Sequence, residues 1–193
     1  MENRISALLH THSIAPDKAN RHPSDFYRTP PIGTERLLDY EQLRGTVWEP
    51  ACGDGAISEV LKARGIKVIS TDLYNRGYGR SGVDFLTAKP PKDFAHILTN
   101  PPFKLIEPFV ARALEVTPRK VIILARLLWL EGKTRRKFFL KAPLKRIWVS
   151  SSRLNVSRGG KDYGDGGEGG MVAFAWYVFE RGYKGKPELG WLP

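Results

Sequence analysis

Thr46-Val47-Trp48-Glu49-Pro50-Ala51-Cys52-Gly53-Asp54-Gly55, followed by Ile57-Ser58-Glu59-Val60-Leu61-Lys62-Ala63-Arg64 and Gly65, decides the fold. Thr46–Pro50 reads as a strand that runs straight into the glycine-bearing turn, and Ile57–Arg64 carries apolar residues at helical spacing until Gly65 ends it. Lys67–Thr71 is a β-branched second strand that stops at Asp72. Strand, glycine turn, helix and strand make a βαβ unit. In such a unit glycines let the backbone approach a ligand and set helix N–H groups beside it, while an acid ending the second strand suits two ribose hydroxyls. The three-glycine spacing of dinucleotide sites is absent, which favours a nucleoside cofactor without a pyrophosphate.

Upstream, Thr34 is the expected N-cap of a helix over Glu35–Leu43, with Gly45 closing it. Downstream, Ala95–Thr99 is an apolar strand that delivers Asn100-Pro101-Pro102-Phe103, and a helix is expected from about Leu105 to Val116. Lys120–Arg126 is a nearly continuous apolar run, the signature of a strand buried on both faces of a parallel sheet. Leu127–Lys141 reads as mostly helical with a break near Gly132. Ile147–Ser150 and Met171–Glu180 are the last two expected strands, joined by Ser157–Gly170, a glycine-rich loop. Repeated βαβ order predicts an α/β fold built on a parallel sheet. Residues 1–23 read as a loose arm, and residues 24–193 as a single domain.

The chain has 193 residues, 41% hydrophobic and 26% charged, which excludes a wholly disordered chain. A single cysteine, Cys52, excludes a disulfide scaffold and a zinc finger, and a reducing, cytoplasmic setting is the default. The first twenty residues lack the apolar core of a signal peptide, and no stretch has the length of a membrane span. His10, His12 and His22 have no partners at metal-ligand spacing, so no metal is expected. Net charge is +11, the footprint of a protein that meets a polyanion. The excess is local: between Arg119 and Arg146 ten cations face one acid, Glu131. Lys133, Arg135, Arg136, Lys137 and Lys141 are the candidate phosphate contacts; a solvated helix face is the alternative.

Asn100-Pro101-Pro102-Phe103 sits where a strand of an open α/β sheet ends, the usual place for a ligand. Two prolines lack N–H donors and fix φ, leaving carbonyls that project rigidly, and Asn100 adds a side-chain carbonyl. Two acceptors so held can take both hydrogens of an exocyclic amino group, and an aromatic neighbour can stack on the ring that bears it. A plain turn with Phe103 in the core is the competing reading. Cys52, inside the cofactor turn, reads as a small buried residue and not a nucleophile.

With Phe26-Tyr27-Arg28-Thr29-Pro30-Pro31 upstream and Asp84-Phe85 between the two constellations, the chain resembles S-adenosylmethionine-dependent DNA adenine-N6 methyltransferases. More closely it is similar to their small stand-alone, often phage- or prophage-encoded members. The resemblance covers most of residues 24–193, including Leu130-Glu131-Gly132-Lys133 through Arg136 and Ala175-Trp176-Tyr177-Val178. It implies a doubly wound, Rossmann-like, mostly parallel methyltransferase sheet with an antiparallel final strand, and S-adenosylmethionine as cofactor. Gly53 and Gly55 would line the methionine and adenosine path with Glu49 and Ala51, and Asp72 would hold the ribose beside Leu73. Asp84 and Phe85 would flank the cofactor adenine, and Tyr27 and Thr29 would approach the methionine part. Asn100, Pro101, Pro102 and Phe103 would form the catalytic set around an adenine flipped out of duplex DNA. Larger members append a recognition domain that this chain lacks, so the resemblance implies little site specificity, with a monomer as the default state. The same core also serves RNA adenine, cytosine N4 and protein glutamine methylation, and a nucleic-acid-binding relic without activity is the non-enzyme alternative.

Overall fold

The computed structural model describes residues 26–158 and 172–193. The expected arm, residues 1–23, and residues 159–170 of the expected loop lie outside them. Strand β1 (Tyr27–Arg28) leads into helix α1 (Pro31–Tyr40). Strand β2 (Thr46–Glu49), helix α2 (Ala56–Ala63) and strand β3 (Val68–Ser70) form the first βαβ unit. Strand β4 (Phe94–Thr99), helix α3 (Ile106–Val116) and strand β5 (Lys120–Arg126) form the second. Then follow helix α4 (Lys133–Phe139) and strands β6 (Leu144–Ser150), β7 (Ser157–Arg158), β8 (Phe174–Glu180) and β9 (Glu188–Leu192).

Seven strands make one sheet in the order β3-β2-β4-β5-β8-β6-β9. β2 pairs in parallel with β3 on one side and β4 on the other, and β4 in parallel with β5. β8 then inserts antiparallel between β5 and β6, matched to β5 from Lys120↔Glu180 to Arg126↔Phe174. It is buried from Phe174 to Phe179, which is why that stretch reads as one unbroken apolar run. β9 pairs in parallel with β6, a strand the sequence reading missed. Its residues, Glu-Leu-Gly-Trp-Leu, are mostly exposed and have no apolar alternation, so only the free edge of β6 makes them a strand.

The helices cover both faces. Alternation along β5 sends Val121, Ile123 and Ala125 toward a core with Phe109, Val110 and Ala113 of α3 and Phe138 of α4. Ile122 and Leu124 face the opposite way, onto Leu37 of α1 and Ile57 and Leu61 of α2. The sheet is thus the doubly wound, Rossmann-like, mostly parallel sheet with an antiparallel strand toward its end. No helix among the described residues is long and apolar enough to cross a membrane.

Three local expectations need correction. α1 begins at Pro31, so Thr34 is a buried helical residue and no cap; proline at the first position loses no hydrogen bond and has its φ preset. α1 also ends early, at Tyr40, because Glu41 turns extended. There its buried carboxylate accepts from Lys120 Nζ (2.7 Å), Arg146 (2.7 Å) and Trp148 Nε1 (3.0 Å). Finally, Ser157 and Arg158 open the expected loop as a strand, pairing antiparallel with β1 through Arg28↔Ser157 and Tyr27↔Arg158.

Candidate functional site

A cleft opens at the C-terminal ends of β2, β3 and β4, where the sheet order reverses direction from β2 outward. The turn after β2 forms its floor. Gly53 and Gly55 take left-handed φ values of +58° and +89°, which side chains with a Cβ rarely adopt. A Cβ at Gly53 would stand 2.4 Å from the Phe26 ring, and one at Gly55 would stand 2.5 Å from Tyr78. Asp72, 7% exposed, ties the turn to the end of β3: one carboxylate oxygen accepts the Gly53 N–H (2.9 Å) and the other the Tyr74 N–H (2.8 Å). Each oxygen keeps a lone pair, enough for a vicinal diol. Asp84 accepts the Leu86 N–H with one oxygen (3.0 Å), which leaves its other oxygen for an amino group.

Asn100 ends β4 on the same cleft. Its amide nitrogen donates to the Tyr27 carbonyl (2.9 Å) and to the Thr29 hydroxyl (3.0 Å). Both hydrogens are therefore used. The amide oxygen is buried and accepts no hydrogen bond among the described residues, a condition that costs about 1–3 kcal/mol and calls for an incoming donor. Pro101 is buried beside it and Pro102 half-buried, neither with an N–H that could satisfy that oxygen.

Charge in the cleft is arranged to keep two groups neutral. Burial pushes the Glu49 carboxyl well above its ordinary range, a rise that Ser58 hydrogen bonds only partly oppose and the Asp72 and Asp54 charges increase. Burial likewise pushes the Cys52 thiol up to about 12, with Glu49 and Asp72 adding to the rise. A thiol so held is no nucleophile at neutral pH, in keeping with its reading as a small buried residue.

Most of the expected site residues come together, but Gly55 and Phe103 do not line the cleft, and several of the others do other work as well. Glu49, Ala51, Gly53, Asp72, Leu73, Asp84, Phe85, Asn100, Pro101 and Pro102 all line the cleft. Phe85, expected against the cofactor adenine, is only 2% exposed, its ring packed on Phe109 (4.6 Å) and Trp48 (5.1 Å) in the core. Phe103, expected to receive a base, lies against Tyr27 (4.9 Å) and Phe174 (5.8 Å) with the Arg126 guanidinium 4.9 Å from its ring centre. Tyr27 and Thr29 reach Asn100 itself. The reading of the sequence missed Phe26, Arg76, Tyr78 and Arg126, whose ring and guanidinium contacts join segments far apart in the chain.

Eight of the ten cations divide into two sets of four, Arg119 and Arg126 lying against the Arg44 carbonyl and the Phe103 ring instead. Lys120 and Arg146 are bound to Glu41, Lys145 to Glu180, and Arg135 to Glu107 (3.3 Å). Lys133, Arg136, Lys137 and Lys141 are exposed and make no ion pair among the described residues. Lys133, Arg136 and Lys141 line a groove whose other wall holds Lys184 and Lys186, cations from beyond β8 that the sequence reading did not connect with them. Among the described residues no cluster of His, Cys, Asp and Glu could hold a metal ion.

No protein-family model matches the chain, and no curated protein matches it by sequence. Solved structures do match its fold. A provisionally assigned class I S-adenosylmethionine-dependent methyltransferase from Listeria monocytogenes is similar over 96% of this chain and 70% of that one, at 13% identity and TM-score 0.57. A provisionally assigned RNA methyltransferase from Pyrococcus horikoshii is similar over 93% and 98%, at 16% identity and TM-score 0.56. The 23S rRNA methyltransferase ErmE is similar over 84% and 71%, at 19% identity and TM-score 0.57. At these identities the likeness is one of fold alone: the seven-stranded sheet is shared with those methyltransferases.

Proposed function

We propose that this protein transfers a methyl group from S-adenosylmethionine to an exocyclic amino group of a nucleic-acid base, adenine N6 in DNA being the first reading. The observation that carries it is the Asn100 amide, whose hydrogens are both used within the chain and whose buried oxygen has no donor among the described residues. The cleft fits the cofactor: Asp72 keeps lone pairs for the ribose diol, Asp84 keeps an oxygen for the adenine amino group, and the glycine turn brings backbone close.

When bound, S-adenosylmethionine supplies a methyl group activated by a sulfonium. The chain's residues make the acceptor competent. Asn100 Oδ1 and the Pro101 carbonyl accept the two hydrogens of the amino group, which favours a pyramidal nitrogen with its lone pair released from the ring. They also stabilise the positive charge that grows on that nitrogen, and neither acceptor must reorganise to do so; the methylated nitrogen then returns to neutrality by releasing one of the two bound hydrogens as a proton to water. Positioning supplies the rest. A base that stacks on Phe103 displaces Arg126 from that ring while Tyr27 keeps its own contact, and a base from a duplex must first leave its stack. Lys133, Arg136, Lys137 and Lys141, with Lys184 and Lys186, hold the phosphates; Arg135 is engaged with Glu107 instead.

RNA adenine is the second reading, favoured by one observation: the chain spans 98% of the length of the Pyrococcus horikoshii protein of like fold. Incubation of DNA, and separately of RNA, with labelled S-adenosylmethionine, followed by mass spectrometry of the nucleosides, decides between them. Label on N6-methyladenosine from RNA alone would replace the first reading by the second. No labelled nucleoside from either would defeat both.

A further inference from the structure

We infer that Thr29, together with the backbone carbonyl of Tyr27, is the positioning element that fixes the Asn100 amide with its oxygen toward the substrate. This rests on the proposed role of Asn100 and reassigns Thr29, which the family resemblance places at the methionine part of the cofactor.

The orientation follows from donor and acceptor chemistry. A side-chain amide can present either end after a half-turn about its last bond, and the two ends have opposite hydrogen-bonding character. The Tyr27 carbonyl, 2.9 Å away, can only accept, so the atom facing it is nitrogen. The second amide hydrogen meets Thr29 Oγ1 at 3.0 Å, in a buried position 3% exposed. A flipped amide would set oxygen against the Tyr27 carbonyl and present a donor to the substrate, where an amino group needs an acceptor. Asn100 therefore accepts from an amino group because residues 71 and 73 positions upstream hold its other end.

The holding strand is itself anchored. β1 is paired with β7, Arg28 Nε meets Asp54 at 2.8 Å on the glycine turn, and the Tyr27 ring packs on Phe103 at 4.9 Å. The Tyr27 carbonyl is thus fixed by three contacts independent of Asn100. Thr29, between β1 and the first proline-started turn of α1, inherits that placement.

Thr29→Val keeps the shape and removes the acceptor; Thr29→Ser keeps the hydroxyl. Single-turnover methyl transfer should fall about ten-fold in Thr29→Val, with the cofactor dissociation constant, read by calorimetry, within about two-fold of the parent. Thr29→Ser should match the parent in both. A parental rate in Thr29→Val, or a loss confined to cofactor affinity, would overturn the inference. Asn100→Ala separates the two levels: if it transfers at the parental rate the proposed function fails, whereas an inactive Asn100→Ala beside an active Thr29→Val sinks the positioning role alone. Should Thr29→Val not fold, the parent carries its own test. NMR should detect a scalar coupling across the hydrogen bond from the Asn100 amide nitrogen to the Tyr27 carbonyl carbon, and its absence would contradict the assigned orientation.

Discussion

Removing the Asp72 carboxylate should weaken both the cofactor and the fold, by amounts that can be separated. Its Oδ2 holds the buried N–H of Gly53 at 2.9 Å and its Oδ1 the N–H of Tyr74 at 2.8 Å. In Asp72→Ala the Tyr74 N–H, in an exposed segment, regains water, but the Gly53 N–H loses a charged acceptor. Such a bond is worth about 1.5–3 kcal/mol, and for a chain of this size each kcal/mol lowers Tm by about 2–4 °C, so a fall of about 3–12 °C is expected. The ribose hydroxyls lose a charge-assisted acceptor of similar worth, a weakening of S-adenosylmethionine binding by about 10- to 150-fold. Calorimetric titration well below Tm, alongside thermal unfolding without ligand, measures the two effects. Parental affinity with a lowered Tm would leave Asp72 as a tie for the glycine turn only. An unchanged Tm would remove that tie from the account.

Other tests bear on neighbouring claims. Glu49 is held protonated above its ordinary value of 4.5, so the parent loses stability as pH rises through and beyond 4.5, by at most about 1.36 kcal/mol per pH unit. Glu49→Gln cannot ionise and should gain on the parent from pH 4 to pH 8 in denaturant titrations; a constant gap would refute the buried neutral carboxyl. At Glu41, burial raises the pKa but hydrogen bonds from Lys120, Trp148 and Arg146 with the Lys120 charge outweigh it, so the carboxylate's contribution is present above 4.5 and lost as pH falls below it. Glu41→Ala should cost about 3–5 kcal/mol at neutral pH in the same titrations, and a cost under 1 kcal/mol would show the pair to be solvated. For phosphate contacts, replacing Lys184 and Lys186 by alanine should reduce the slope of log affinity against log salt on duplex DNA by about 1.8, and replacing Arg135 should leave it unchanged. Equal slopes for parent and double variant would make the groove a solvated face.

Local chemistry made much of this molecule legible. Lys120–Arg126 announces a buried strand because every residue between its charged ends is apolar, and the glycine turn and Asp72 mark by their spacing the two strand ends that line the cleft. What stayed hidden depends on contacts between distant segments. β9 exists because β6 offers it an edge. Four of the ten cations between Arg119 and Arg146 look available for phosphate until Glu41, Glu107, Glu180 and Glu188 arrive from elsewhere in the fold. Thr29 resembles a cofactor contact by motif, and its hydrogen bond to Asn100 spans 71 residues that no local pattern encodes. Phe103 is visible as an aromatic beside two prolines, whereas the Tyr27 ring that packs on it is a fact of β1 placement.

The most direct test of the central claim is single-turnover transfer from labelled S-adenosylmethionine to adenine-containing DNA by the parent and by Asn100→Ala, with cofactor affinity measured on both. The parent should label adenine N6, and Asn100→Ala should bind the cofactor as the parent does yet transfer nothing measurable. Parental turnover in Asn100→Ala would contradict the assignment of its amide oxygen to the acceptor amino group, and with it the proposed chemistry of the cleft.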